Sequence, residues 1–169
     1  AKLEAVNGYW MRHSDDAELA RTLMAERDYL PNGSILRQKD DAETLDLLTR
    51  AMPGLKERAK TLVELADSAS YLFANRPLPM EEKAAETLGT GGREIVAGLL
   101  PALSAVSDWT VASLEAVVRD YAEKEGLKLG KVAQPLRAAL TGRTTSPGVF
   151  DVLEVLGREE SLARLADQS

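Results

Sequence analysis

Apolar residues recur in this chain at three- and four-residue spacing almost throughout, and each run is cut short by Pro, Gly or a helix-capping residue. That spacing dictates amphipathic helices, because one face of an α-helix returns every ~3.6 residues whereas a half-buried strand alternates with a period of two. Alternation is absent, and Val and Ile are sparse. The punctuation sets the expected boundaries. Ser14, followed by Asp15 and Asp16, caps a helix whose first-turn acids suit the helix dipole. Leu19, Leu23 and Met24 form its stripe, and Leu30-Pro31-Asn32-Gly33 stops it. A second helix is expected from Asp41 to Ala51, ending at Pro53-Gly54. A longer one then carries Leu55, Ala59, Leu62, Val63, Ala66 and Ala69 on one face.

The second half follows the same grammar. A short acidic helix from Met80 to Leu88 precedes Gly89, Gly91 and Gly92, which read as a flexible linker. Ile95, Leu99 and Leu103 mark the next helix. Thr110 caps another, with Leu114, Val117, Val118 and Tyr121 as its stripe and Gly126 as its end. Pro135 suits the first turn of a helix reaching Thr141, since its missing N–H would have no intrahelical partner there, and Gly142 is the stop. Pro147-Gly148 opens a helix that buries Phe150, Leu153 and Leu156 and ends at Gly157. A last helix runs from about Arg158 to Ala166. The fold class is therefore all-α, with roughly eight to ten short helices. The break at Asn75-Arg76-Pro77-Leu78-Pro79, or the glycines at 89–92, divides two helical subdomains; the first choice gives domains 1–75 and 76–169.

Composition narrows the functions. A chain of 169 residues with 44% hydrophobic and 28% charged residues can bury a core and is not disordered. No apolar run approaches the ~20 residues that span a bilayer, and the first residues lack a signal-peptide pattern, so no membrane association is expected. With no Cys, disulfides and thiolate chemistry are out, and a reducing cytoplasm is the expected location. The chain opens without Met and with a helical pattern already running, which reads as part of something longer. The one histidine, His13, sits in the exposed setting Arg12-His13-Ser14-Asp15, which leaves neither a Ser-His-Asp triad nor a zinc site. Gly89-Thr90-Gly91-Gly92 follows no strand and lacks the Gly-Lys-Ser/Thr ending of a P-loop. Glu81-Glu82 and Glu159-Glu160 fall in first helical turns, where they complement the dipole. No catalytic residue and no metal ligand is expected.

Charge is less evenly spread. The net charge is -6, yet Gly126 to Phe150 contains Lys128, Lys131, Arg137 and Arg143 and neither Asp nor Glu. A cationic island on an acidic body reads as a face for a polyanion, because charge is felt where it clusters. The plainer reading makes Leu129, Val132, Ala133, Leu136, Ala139 and Leu140 a core stripe with the basic residues solvated around it. Arg137, on the helix with Pro135, would project a donor-only guanidinium from a rigid support. Such a group suits the O2 and N3 acceptors of an unstacked cytosine and meets a donor in uracil. A second cluster, Arg50, Lys56, Arg58 and Lys60, is interrupted by Glu57 and fits helix-surface charge pairing.

The wording KLGKVAQPLRAALTG, followed by SPGVFDVLEVLG, closely resembles the C-terminal anticodon-binding region of bacterial glutamyl-tRNA synthetases. Lys2-Leu3 with Val6-Asn7-Gly8-Tyr9 resembles the segment after that family's KMSKS loop, in its stem-contact region. Leu55 to Leu62 is similar to the helix before a Leu-Phe pair, here Leu72-Phe73, and Trp109 with Leu114-Glu115 matches a Trp-Thr-x-x-x-Leu-Glu pattern. The family's His-x-Gly-His and Lys-Met-Ser-Lys-Ser signatures are missing, so this resemblance implies a tRNA-binding portion without the Rossmann-type catalytic half. It implies that residues 1–75 hold the stem-contact region and a first anticodon-binding subdomain, and residues 76–169 a second. The parent would be a glutamate-tRNA ligase, making glutamyl-adenylate from glutamate and ATP with Mg2+ and passing glutamate to tRNA(Glu). This segment would be a monomer, inactive alone and without a cofactor of its own. The resemblance carries anticodon reading to Arg137 and Gln134, and to Arg58 with Arg50 as competitor; the basic residues Lys128, Lys131 and Arg143 would contact phosphate and set register. It leaves open whether tRNA(Gln) is also accepted. The alternative class is a non-enzymatic helical module docking an acidic protein.

Overall fold

The computed structural model describes residues 9–169, so the Lys2-Leu3 and Val6-Asn7-Gly8 matches lie outside the described residues. Among the described residues all regular structure is helical, which the three- and four-residue spacing dictates. None of these helices is long and apolar enough to cross a membrane. The chain divides into two compact units, one ending at Ala74 and the other spanning Asn75–Ser169.

The first unit is built on α1 (Asp16–Glu26), α2 (Asp41–Leu55) and α3 (Leu62–Ala69), joined by 3-10 turns at Arg27–Tyr29 and Gly33–Arg37. Each helix begins with a side chain that accepts one of the backbone N–H groups a helix start leaves unpaired. Asp15 accepts from the N–H of Glu18 at 3.2 Å, Asp40 from Glu43 at 2.9 Å and Thr61 from Glu64 at 3.1 Å. The first cap is thus Asp15 and not Ser14, whose hydroxyl instead donates back to the Trp10 carbonyl. Leu19, Leu23, Leu48, Met52, Leu55 and Leu65 close the core between these helices. Arg27 clasps Asp41 across the turns at 2.9 Å, and that bond holds the Asp41 carboxyl below the usual carboxylate range.

Two boundaries differ from the sequence expectation. α2 runs through Pro53-Gly54 to Leu55, because Ala51, Met52 and Leu55 continue the buried stripe of Thr44 and Leu48. Their burial offsets the ~3 kcal/mol that an interior proline costs a helix. The long helix expected from Leu55 to Ala69 is interrupted: Lys56 to Lys60 form a turn, and Thr61 starts α3 afresh. The backbone N–H of Lys60 donates to the Glu64 carboxylate at 2.7 Å, completing a box-like cap around Thr61. Val63, expected on the buried face, points outward and is 44% exposed.

The second unit contains α4 (Glu82–Thr87), a wide turn at Leu88–Gly92, α5 (Arg93–Ser104), α6 (Val111–Lys124), α7 (Leu129–Thr141), α8 (Val149–Leu156) and α9 (Arg158–Asp167). α7 is central: it packs on α4, the wide turn, α5, α6, α8 and α9. Val132, Pro135, Leu136, Ala138, Ala139, Leu140 and Thr141 are all buried along it. Pro135 therefore sits mid-helix, not in the first turn, because burial of Val132 and Leu136 carries the helix back to Leu129. Phe150 and Leu156 are half-buried where burial was expected, while Val149, Val152 and Leu153 fill the α8 side of the core.

The end of α7 is tied down at two of the carbonyls that a helix terminus leaves open, those of Ala138 and Leu140. Gly142 adopts a left-handed conformation (φ 74°) and donates to the Ala138 carbonyl at 2.8 Å. A Cβ at Gly142 would collide with the Pro79 carbonyl oxygen, and its own carbonyl accepts from Glu81 N–H at 2.9 Å. Arg164 of α9, only 1% exposed, donates from Nη1 to the Leu140 carbonyl at 2.8 Å and from Nε to Glu160 at 2.9 Å. Trp109 does the same for α8: its Nε1 donates to the Leu153 carbonyl at 2.7 Å while the Arg158 guanidinium lies 5.0 Å from the ring centre. Arg164→Met should cost about 2–4 kcal/mol in urea denaturation, since it leaves the buried Leu140 carbonyl without its donor. A loss below about 0.5 kcal/mol would show that this bond is not structural.

Candidate nucleic-acid interface

The cationic island folds onto the outer face and C-terminal end of α7. Lys128 occupies the N-cap position, and Lys128, Lys131 and Gln134 are exposed. Among the described residues neither lysine forms an ion pair with a carboxylate. Their charge is directed at solvent, and the neighbouring Val132, Leu136 and Leu140 on the inner face fix why. The helix is thus apolar inward, as the core-stripe reading has it, and polar outward.

Arg137 is half-buried. Its Nε donates to the Ser146 hydroxyl at 2.9 Å, and that hydroxyl donates onward to the Pro147 carbonyl at 2.7 Å. The side chain is thereby held against the loop that follows α7. Arg143, also half-buried, lies in that loop with its Nε 3.8 Å from the Glu81 carboxylate, and its backbone N–H donates to Thr141 Oγ1 at 3.1 Å. A run without acids in the sequence is therefore not a surface without acids: the Pro79–Glu81 strand of chain brings one alongside.

Gly130, Gln134 and Arg137 stand at i, i+4 and i+7, and so share one stripe of α7. Beside its N-terminal half lies a concave pocket of about 350 Å³ lined by Gly91, Gly92, Ile95, Gly130, Lys131 and Gln134, with Pro135 at its floor. Gly91 and Gly92, with Thr87 and Thr90, form one wall, and the glycines at 89–92 belong to one turn. They are not a linker but a kinked turn continuous with α4 and α5, in which Gly91 takes φ 97°. A Cβ on Gly92 would strike the Thr87 carbonyl oxygen and approach Pro135 Cβ to 3.2 Å, so the turn packs tightly on α7. The sequence signal for this pocket was the glycine cluster itself, misread because close packing on a distant helix leaves no local mark.

The second basic cluster divides. Lys56 is half-buried and pairs with Asp16 at 2.6 Å while donating to the Ser14 carbonyl at 3.2 Å, a structural clasp within the first unit. Arg50 pairs with Asp46 at 2.9 Å one turn back on α2. Arg58 is exposed in the turn after α2, off any helix, and among the described residues it forms no ion pair. His13 is exposed, with Nδ1 2.9 Å from the Tyr9 carbonyl and its ring stacked on Tyr9 at 4.1 Å. Among the described residues no three of His, Cys, Asp and Glu gather where they could hold a metal ion.

Known proteins resemble this arrangement over its whole length. A glutamate–tRNA ligase of Bradyrhizobium sp. is 57% identical over 169 residues, and glutamate–tRNA ligase 2 of Brucella ovis is 59% identical over 167 residues. These matches take in 100% and 99% of this chain but 35% of each relative, so the chain spans about a third of their length. A solved glutamate tRNA ligase from Elizabethkingia meningosepticum superimposes with a TM-score of 0.72 at 22% identity, over 98% of this chain and 31% of that one. A glutamate-tRNA synthetase from Elizabethkingia anophelis does so at 0.64 and 21% identity. At those identities the likeness establishes the shared helical fold. Residues 17–168 match the family described as "Anticodon binding domain", and the chain belongs to that family.

Proposed function

We propose that the chain is the tRNA-reading portion of a glutamate-tRNA ligase, and that α7 is its reading helix. The observation that carries this is the stripe on α7: a half-buried Arg137 held through its Nε by Ser146, with exposed Gln134, Lys131 and Lys128 toward the helix start. Membership of the anticodon binding domain family supports it, as do curated relatives named for glutamate–tRNA ligation. A base contact needs a donor group fixed in direction before the RNA arrives, and the Ser146 bond supplies that restraint. Lysines on a solvated helix end suit phosphate, which sets register without reading sequence.

In this reading Arg137 and Gln134 meet unstacked anticodon bases, Lys128, Lys131 and Arg143 meet the backbone, and Arg58 reads the third anticodon base. Arg50, already engaged with Asp46, is the weaker candidate for that role. Residues 1–75 would combine stem contact with a first anticodon-binding subdomain, and residues 76–169 form the second. Glutamate activation by ATP and Mg2+ belongs to the part of the relatives' length outside the match. Among the described residues no three of His, Cys, Asp and Glu gather where they could hold Mg2+. The chain would then be a cytoplasmic monomer that binds tRNA(Glu) and charges nothing alone.

Arg137→Ala should weaken binding of tRNA(Glu) by about 1–3 kcal/mol, roughly tenfold to a hundredfold, and should weaken an anticodon-substituted tRNA much less. Equal losses for both, in equilibrium titrations at matched salt, would reduce Arg137 to a structural role. Lys131→Ala should behave differently. It should lower affinity for both tRNAs alike and make the slope of log K against log salt shallower by about 1. An unchanged slope would remove Lys131 from the backbone contacts. Arg58→Ala should erode discrimination at the third anticodon base alone, and loss of that discrimination on Arg50→Ala instead would transfer the assignment to Arg50.

A further inference from the structure

Glu81 is the anomaly beside the cationic island. It holds the N-cap position of α4 with extended backbone angles (φ -64°, ψ 152°), yet its side chain makes no capping bond. Asp15, Asp40, Thr61 and Thr110 each accept a backbone N–H from that position. The Glu81 carboxylate instead approaches the Arg143 guanidinium, with Oε1 3.8 Å from Nε. Its place there is set by the backbone. The Glu81 N–H donates to the Gly142 carbonyl at 2.9 Å, and the left-handed Gly142 has no room for a Cβ beside the Pro79 carbonyl. Acid and loop are therefore fixed to each other, although they are distant in sequence.

We infer that Glu81 is an internal competitor for RNA phosphate: it engages Arg143 in the free chain and yields it when an RNA backbone docks. The inference rests on the phosphate contact proposed above for Arg143. Both side chains reach solvent, at 55% exposure for Glu81 and 27% for Arg143, so a phosphate can approach the pair from outside. An exposed ion pair of this kind is weak, and a phosphate oxygen offers the guanidinium a stronger, charge-assisted bond. Arg143 can change partners without the loop unfolding, because its own N–H is held by Thr141 Oγ1 and the Gly142 N–H by the Ala138 carbonyl. After the exchange the Glu81 charge stays beside the phosphate and opposes it. That effect is independent of base sequence. Glu81 lowers the share of affinity that comes from backbone charge and leaves base contacts to carry more of the binding.

The test is a double-mutant cycle of Glu81→Gln and Arg143→Ala, read by equilibrium binding of tRNA(Glu) and of an unrelated RNA hairpin across a salt series. Glutamine keeps the size of the side chain and the backbone bond to Gly142. Glu81→Gln should tighten both RNAs about three- to fivefold, the scale of a surface ion pair, and steepen the slope of log K against log salt by up to about 1. In the Arg143→Ala background the same substitution should do no more than Glu86→Gln, which removes an equal charge from the exposed last turn of α4. A Glu81→Gln chain that binds both RNAs as the parent does, or tightens equally with and without Arg143, overturns the competitor. If Arg143→Ala still weakens both RNAs in that case, the phosphate contact stands and only the competitor fails. An Arg143→Ala chain that binds both RNAs as the parent does overturns the phosphate contact and the competitor together.

Discussion

The second unit depends on the capture of one helix end. The last carbonyls of α7 have no partners within the helix, and they point into a packed interior where unpaired polar groups are costly. Gly142 turns left-handed and returns its N–H to Ala138, and Arg164 reaches from α9 to the Leu140 carbonyl. With the Ala138 and Leu140 carbonyls paired, seven residues of α7 are buried among the surrounding helices. The outer stripe is then held rigidly, and the loop beyond it is fixed well enough for Ser146 to hold Arg137. Packing, termination and the candidate interface are consequences of the same few bonds.

Much of this was legible in the sequence. Thr110, Gly126, Gly142 and Gly157 marked helix ends correctly because caps and left-handed stops are local chemistry, decided within a turn of chain. The all-helical class followed from spacing alone. The failures fall where distant contacts outweigh local preference. Pro53 and Pro135 looked like boundaries, but Leu55 and Val132 bury enough apolar surface to carry helices through or back past them. Thr61 with Glu64 was a readable cap, masked by the apolar spacing that runs across it from Leu55 to Ala69. Arg164 gave no signal at all, since Glu160 and Arg164 four residues apart look like an ordinary surface pair.

The site shows the same division. Lys128, Lys131 and Gln134 were found as a run, and they do share the exposed side of α7. Sequence could not reveal that Glu81 approaches Arg143, that Ser146 orients Arg137, or that the glycine turn walls a pocket beside Gln134. Each of these is a contact between elements well separated in sequence or set by loop geometry. The Trp109 pattern, which carried part of the family likeness, marks a structural clasp, its indole N–H engaged by the Leu153 carbonyl. Resemblance and physics agree on the fold, and physics separates the residues that build it from those presented outward.

The central claim is that α7 and the loop after it face the RNA. Photo-crosslinking from a thio-substituted base in the anticodon loop of tRNA(Glu), followed by peptide mapping, tests it most directly. The account predicts crosslinks within residues 129–148, lost when unlabelled tRNA(Glu) competes. Competable crosslinks confined to the α6 or α9 surfaces, with none on α7, would contradict it.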